Sequence, residues 1–177
     1  MKNLYLALLL LFCLNSCKSS KGSITKTSKS PEISQKAITD STQINSLNSN
    51  SLINSVIDYA KQFDGVRYKY GGTTKHGMDC SGLVTTAFKS EHILLPRSTE
   101  DLANTGNWID LEDVQKGDLL FFATKKNNRK VNHVGIVTDT RPGYIEFIHA
   151  TTSAGVITSN LAERYWHFAF VQARRIL

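Results

Sequence analysis

The chain has 177 residues, of which 41% are apolar and 20% are charged. This composition fits one folded domain with an additional tail, and it excludes collagen-like, wholly disordered and polytopic membrane proteins. The formal net charge is +6, but from Ser51 onward the sequence has only 15 basic against 13 acidic residues. Because a nucleic-acid binder concentrates positive charge on its folded domain, this distribution predicts no nucleic-acid partner.

The first 17 residues combine a basic start, a Leu-rich run and the ending Leu14-Asn15-Ser16-Cys17. A basic start before a short apolar run is typical of a secretory signal peptide, and the run is too short to span a bilayer as a mature helix. The ending resembles the lipobox of bacterial lipoproteins, in which the Cys becomes the acylated N-terminus. We therefore predict a signal peptide over 1–16, lipidation of Cys17 and a membrane-anchored protein of the cell envelope. Lys18 after the anchor favours the outer membrane, with the protein facing the periplasm. The alternative is an ordinary export signal with an incidental Cys.

Residues 17–50 comprise the lipidated Cys and a tether rich in Ser, Thr and Asn that has no aromatic residue. Such a segment buries too little apolar surface to offset its ordering entropy, so we predict that it is disordered. The folded domain is predicted over 51–177, which holds 14 of the 16 aromatic residues. That number is sufficient for one compact core.

The predicted helices come first along this domain. Apolar residues at helical spacing predict a helix over 51–63, Asp79 is the predicted cap of a second helix, and Ser98 begins a short third helix that ends before Gly106. After Gly117 the sequence is rich in Val, Ile, Phe and Thr, which is typical of strands. Helices followed by strands predict an α+β domain in which N-terminal helices pack on an antiparallel sheet. The predicted strands are 118–123, 133–139, 144–150, 155–159 and 166–174.

Cys80 is the one cysteine that the predicted processing leaves unmodified in the folded domain. If Asp79 is the cap, Cys80 is the first residue of its helix, where free backbone N–H groups and the helix dipole favour a thiolate. A thiolate is the attacking species in cysteine hydrolysis. The alternative is a buried Cys acting as a small hydrophobe, which the polar, Gly-rich surroundings oppose.

His133 and His149 lie in two neighbouring predicted strands joined by a turn-rich stretch. If this hairpin is symmetric about Arg141, the two histidines are directly opposite each other, with Cβ atoms about 4.5–5.5 Å apart. Two facing imidazoles can serve as a base and its orienting group, or as metal ligands. Since the domain offers one Cys and no close acidic partner in these motifs, zinc is the weaker interpretation and no metal is predicted.

Four motifs occur in the order Asp79-Cys80-Ser81-Gly82, Gly117-Asp118-Leu119, His133-Val134-Gly135-Ile136 and Ile148-His149-Ala150. In order and spacing they are similar to the motifs of the NlpC family of cell-wall cysteine endopeptidases, and closest to its Spr-type outer-membrane lipoproteins. The resemblance extends to Leu95–Thr99 and to the ending Ala173–Leu177, and so covers 51–177.

The resemblance implies a papain-like α+β fold with five to six antiparallel strands and an endopeptidase acting on peptidoglycan stem peptides or their crosslinks in wall remodelling. It implies that Cys80 is the nucleophile, His133 the general base and His149 the group that orients His133. It implies no cofactor, and we expect a monomer. The residues that it assigns to substrate binding are Tyr68, which borders the cleft and contributes to the oxyanion site, Asp79, Ser81, Arg97 and Ser98.

Some alternatives stay open at this point. The same Cys and His pair also serves amidases and acyltransferases on a related scaffold, and a non-catalytic wall-binding lipoprotein is a third class. Helix capping explains Asp79 equally well, and Arg97 fits an ordinary surface cation. A basic insertion, Lys125–Lys130, precedes His133; it is interpreted as a solvated loop, with the holding of anionic wall polymer as the alternative.

Overall fold

A computed structural model describes the backbone of residues 34–177 and the side chains of residues 47–177. The predicted signal peptide and Cys17 lie outside the described residues. The helices are α1 (Ser34–Lys61), α2 (Cys80–Ser90), α3 (Thr99–Leu102) and α4 (Arg164–Ala169), with a 3₁₀ turn at Leu111–Asp113. The strands are β1 (Thr73–Thr74), β2 (Gly77–Met78), β3 (Asn107–Ile109), β4 (Leu119–Phe122), β5 (His133–Arg141), β6 (Tyr144–Thr151), β7 (Gly155–Asn160) and β8 (Phe170–Arg175).

Helix α1 begins well before the predicted domain boundary. Val56, Ile57 and Ala60 are buried on the face that packs against the rest of the core. Once a packed segment has nucleated a helix, each further residue adds a hydrogen bond with little extra loss of entropy, so polar residues extend it without burial. Leu47, for example, is exposed. Helix α1 thus includes residues 34–50, which the sequence predicts as part of a disordered tether. Among the described helices, none has the length and apolar character needed to cross a bilayer.

Six strands form one antiparallel sheet in the order β3-β8-β4-β5-β6-β7. Alternate residues of β4 face opposite sides: Leu119 and Phe121 contact the core around α1 and α2, whereas Leu120 and Phe122 contact the core around α4. The sheet is thus buried on both faces. The α+β class with N-terminal helices packed on a five- to six-stranded antiparallel sheet is confirmed.

The segment predicted as one strand over 166–174 is two elements, and the prediction is wrong for 166–169. Trp166 and Ala169 are buried whereas His167 and Phe168 are exposed, which is the spacing of a helix of one or two turns and not the alternation of a strand. Aromatic residues favour strands only where they pack on neighbouring residues within a sheet. Trp166 instead belongs to α4, which packs on one face of the sheet.

The β5–β6 hairpin has a different register from the predicted one. Its turn is Pro142-Gly143, with φ of +72° at Gly143, and Ile136 pairs with Ile148. Continuing this register sets His149 across from Gly135 and two residues from His133. The prediction of directly opposed histidines is therefore wrong by two residues. Because side chains alternate with a period of two, the shift leaves both imidazoles on the predicted common face.

Candidate active site

Cys80 is the first residue of α2, as predicted, and the carboxylate of Asp79 caps the helix by accepting the backbone N–H of Gly82 at 2.7 Å. The Cys80 side chain is buried, and its Sγ lies 3.7 Å from the hydroxyl oxygen of Thr99. Burial raises the pKa of the Cys80 thiol, and hydrogen bonds from Thr99 and the backbone N–H of Val134 only partly offset this effect. Burial thus favours the neutral thiol, whereas the position at the helix N-terminus favours the thiolate.

A chain of hydrogen bonds runs inward from His133. Its Nε2 lies 2.8 Å from Nδ1 of His149, and Nε2 of His149 lies 3.0 Å from Oγ of Ser159. Burial lowers the pKa of His133 to about 4. Burial together with the neighbouring His133 lowers the pKa of His149 to about 3. Both imidazoles are thus neutral at physiological pH, and each can pass a proton along the chain.

Trp166 of α4 covers both imidazoles. Its ring lies roughly parallel to that of His133, with 5.4 Å between centroids and 22° between planes. It meets His149 edge-on, at 4.6 Å and 83°. Phe122 packs against Trp166 and His133, and Phe147 packs against Trp166 and His149. These contacts fix both ring planes.

Asp79, Ser81 and Arg97 form one network next to the nucleophile candidate. Nη2 of Arg97 donates to Oδ2 of Asp79 at 2.8 Å, and Nη1 donates to the hydroxyl of Ser81 at 2.6 Å. Oδ2 of Asp79 also accepts the backbone N–H of Gly71. Burial alone would raise the pKa of Asp79, but Arg97 and the N–H groups of Gly82 and Gly71 hold it below its usual value. Asp79 is therefore an ionised cap with a charged partner, and Arg97 is not an isolated surface cation.

Cys80, His133 and Tyr68 line one cavity of about 620 Å³. Burial, followed by the nearby Cys80 and Asp79, raises the pKa of Tyr68, so its hydroxyl stays protonated and able to donate. Ser98 does not line this cavity; its hydroxyl accepts the N–H of Asp101 and donates to the Asp101 carboxylate, which makes it the cap of α3. Of the predicted residues that the structure describes, Tyr68, Cys80 and His133 line the cavity, and His149 lies behind His133. Asp79, Ser81 and Arg97 form the network next to Cys80, and Ser98 belongs to neither group.

Sequence reasoning missed Ser159, Trp166 and Thr99. Ser159 is a buried polar residue of β7. Its place beside His149 becomes evident only once β7 is paired with β6. Trp166 and Thr99 reach the site from elements far along the chain. Among residues 47–177, no three His, Cys, Asp or Glu side chains converge in the manner of metal ligands.

The sequence matches the NlpC/P60 family over residues 65–175, and the chain therefore belongs to that family. It is 44% identical over 114 residues to a probable endopeptidase NlpC homolog of Haemophilus influenzae, an alignment covering 64% of this chain and 57% of that protein. It is 40% identical over 123 residues to murein DD-endopeptidase MepS/murein LD-carboxypeptidase of Escherichia coli, covering 69% and 62%. The chain thus spans about three fifths of the length of these two curated relatives. A crystal structure of an NlpC/P60 family protein from Bacillus cereus superposes with a TM-score of 0.64 at 32% identity, over 71% of this chain and 40% of that one.

Proposed function

We propose that this protein is a cysteine endopeptidase that hydrolyses amide bonds of peptidoglycan stem peptides or of the crosslinks between them. The observation that carries the proposal is the meeting of Cys80 and His133 in one cavity, at the end of the hydrogen-bonded chain that continues through His149 to Ser159. The name of the Escherichia coli relative, a murein endopeptidase, supports peptidoglycan as the substrate.

The hydrogen-bonded chain supports the assignment of His133 as the base. If the hydroxyl of Ser159 accepts from Nε2–H of His149, then Nδ1 of His149 accepts from Nε2–H of His133. With the hydrogen bonds in this direction, the lone pair on Nδ1 of His133 is free to accept the proton of the Cys80 thiol. With the hydrogen bonds in the opposite direction, Nδ1 of His133 would carry a proton and could not act as a base. With the hydrogen bonds in the first direction, Ser159 and His149 hold His133 in the tautomer that accepts the thiol proton.

The reaction follows from these roles. Nδ1 of His133 takes the thiol proton as Sγ of Cys80 attacks the amide carbonyl carbon. The Tyr68 hydroxyl donates to the oxygen that becomes negatively charged. His133 then returns the proton to the leaving amine, and a thioester joins the acyl group to Cys80. Water, deprotonated by His133, attacks the thioester and releases the acid together with the thiol.

The sequence also supports a place for this reaction. The basic start, the Leu-rich run and the lipobox-like ending at Cys17 favour export and lipid anchoring, with the domain held at a membrane of the cell envelope. The outer membrane, facing the periplasm, is the location that Lys18 favours. An anchored enzyme works on wall within reach of its tether, which fits wall remodelling.

The function is tested on purified sacculi, with mass spectrometry of the released muropeptides. We expect Cys80→Ala and His133→Ala to lower turnover by roughly a thousandfold or more while the fold is retained, and the double variant to be little worse, since groups acting as one unit are non-additive. Cys80→Ser keeps the size and polarity of the side chain but raises the pKa of the nucleophile, so it should bind wall and scarcely cleave it. His167→Ala, at an exposed histidine, is the matched control.

Two results would contradict the proposal. One is near-normal cleavage by folded Cys80→Ser. The other is inhibition by a chelator together with resistance to a thiol-alkylating reagent. The identity of the released muropeptides also distinguishes cleavage within a stem from cleavage of a crosslink.

A further inference from the structure

A second groove lies next to the cavity that holds Cys80. Its volume is about 630 Å³, and it shares Thr124, Lys125 and Tyr165 with the first cavity. Beyond these shared residues it is lined by the start of the loop that joins β4 to β5 and by one side of α4. The first cavity and the second groove thus adjoin each other, and Thr124, Lys125 and Tyr165 form their common border.

The basic residues around this groove fall into two groups. Lys125, Lys126 and Arg164 line it and are exposed, and none of the three pairs with a carboxylate among the side chains described. Lys130 instead pairs with Glu100 at 3.0 Å, and it does not line the groove. The insertion is therefore not a uniform basic loop.

Arg129 has a different position again. Its guanidinium donates to the backbone oxygens of Phe168 and Phe170, at 3.2 and 3.3 Å, and so ties the loop to the end of α4. Hydrogen bonds between Thr124 and Asn132 close the base of the loop. The loop is thus held in place, and two of its cations are directed to the groove without a protein partner.

Two aromatic side chains stand in the same groove. Tyr165 is 58% exposed and Phe168 is 68% exposed, although both belong to an element whose other aromatic residue, Trp166, is buried. A surface that combines exposed aromatic residues with unpaired cations is suited to an elongated ligand that has both apolar and anionic parts. Arg164 lies over the Phe168 ring at 6.0 Å, so charge and apolar surface are presented together.

We infer that this groove is an extended subsite for a carboxylate-bearing peptide segment of the wall polymer, the part of the substrate that runs past the reactive amide along Lys125. The inference rests on the proposed function, because the border shared with the Cys80 cavity identifies the occupant as substrate. Lys125, Lys126 and Arg164 bind its carboxylates, and Tyr165 and Phe168 pack against its carbon chains. Glu163, whose carboxylate accepts the backbone N–H of Asn160, lies in the Cys80 cavity and not in the groove.

The test compares the full-length wild type, Lys126→Gln/Arg164→Gln and the matched control Lys130→Gln, which changes charge in the same loop outside the groove. The substrates are soluble muropeptides prepared from sacculi, with their carboxyl groups either free or amidated. We expect the double variant to raise KM about fivefold or more on the free-carboxyl substrate with kcat unchanged, because it removes ground-state binding. On amidated substrate the wild type and the double variant should be equal, and Lys130→Gln should follow the wild type on both.

The subsite would be overturned if the KM of the double variant rose by the same factor on both substrates. It would also be overturned if the KM of Lys130→Gln rose as much as that of the double variant. If the wild type cleaves neither substrate, the proposed function fails, and the subsite is judged by binding alone. In that case Cys80→Ala should co-sediment with sacculi. The same two groove substitutions, made in that variant, should weaken binding to sacculi and make the binding depend less on salt concentration. Unchanged binding at low salt would overturn the subsite, and a groove-dependent affinity for an unrelated acidic protein equal to that for sacculi would reassign it to a protein partner.

Discussion

The burial of His133 and His149 makes the stability of the fold depend on pH. Histidine in an unfolded chain has a pKa near 6.5, whereas burial lowers the pKa of His133 to about 4 and that of His149 to about 3. Between pH 6.5 and 4 the unfolded chain therefore binds protons that the folded protein does not. The free energy of unfolding must fall as the pH falls through this window, and above pH 6.5 the two groups contribute no pH dependence.

We predict that His133 alone accounts for roughly 3 kcal/mol of lost stability at pH 4 relative to pH 7.5. The measurement is urea unfolding at several pH values between 4 and 7.5. Other groups also titrate here, so the informative quantity is the difference between the wild type and His149→Asn, whose pH dependence should be flatter. His167→Gln, at an exposed histidine, is the matched control. Equal slopes for all three proteins would contradict the buried, neutral pair.

Asp79 has two functions that substitution can separate. Asp79→Asn keeps an oxygen that caps α2 but removes the charge that holds Arg97, whereas Asp79→Ala removes both. We expect Asp79→Ala to lower the free energy of unfolding by about 1 kcal/mol more than Asp79→Asn does. We expect both variants to lower kcat/KM about tenfold, because Arg97 and Ser81 lose their common anchor next to Cys80. Full activity in Asp79→Asn would show that Asp79 is only a cap.

At the scale of elements, the β5–β6 hairpin depends on the missing side chain of Gly135. A Cβ there would lie 2.7 Å from Cδ2 of Phe147, 3.0 Å from the backbone oxygen of Ile148 and 3.1 Å from Cβ of His149. The backbone oxygen of Ile148 and Cβ of His149 cannot move unless the backbone of β6 moves with them. The close approach of the two strands is what allows His149 to reach His133.

We therefore predict that Gly135→Ala destabilises the protein by about 1–3 kcal/mol and lowers kcat/KM by a larger factor than its stability loss explains. The matched control is Gly143→Ala at the tip of the same hairpin, where φ is +72° but no atom lies within 4 Å of the added Cβ. It should lose stability through backbone strain and keep its activity. Activity loss in Gly143→Ala as large as in Gly135→Ala would indicate a general effect on the hairpin.

The two histidines also show what the sequence could and could not predict. The start of α2 was predictable because an Asp cap acts locally, within three residues of Cys80. The shared face of His133 and His149 was predictable, even with a register wrong by two, because strand parity survives an even shift. Ser159 and Trp166 were not predictable, since their roles depend on strand pairing and on packing between distant elements. The start of α1 at Ser34 was not predictable from composition, since that segment extends a helix whose buried residues lie farther along the chain.

At the scale of the whole molecule, the proposed anchor should be separable from the proposed chemistry. We predict that Cys17→Ala releases the protein from the membrane fraction or blocks its processing, because Cys17 carries the proposed acyl chains. Purified Cys17→Ala should hydrolyse soluble muropeptides at the rate of the wild type, since the proposed chemistry uses Cys80 and His133 and not Cys17. The measurements are membrane fractionation, mass spectrometry of the mature N-terminus and turnover. Unchanged fractionation with a cleaved, unlipidated N-terminus would contradict the anchor.

The position of β8 has a consequence for the order in which the protein acquires its structure. In β4 to β7 each strand pairs with its neighbour in sequence, and these hairpins close short loops. β8 instead enters between β3 and β4, and its pairing with β3 joins residues such as Trp108 and Arg174. Contacts so distant in sequence slow the search for the native topology. We therefore predict that strands β4 to β7 form the folding nucleus and that β8 enters the sheet late. Substitutions in β8 should then act chiefly on the unfolding rate, whereas substitutions in β4 to β7 should slow folding itself.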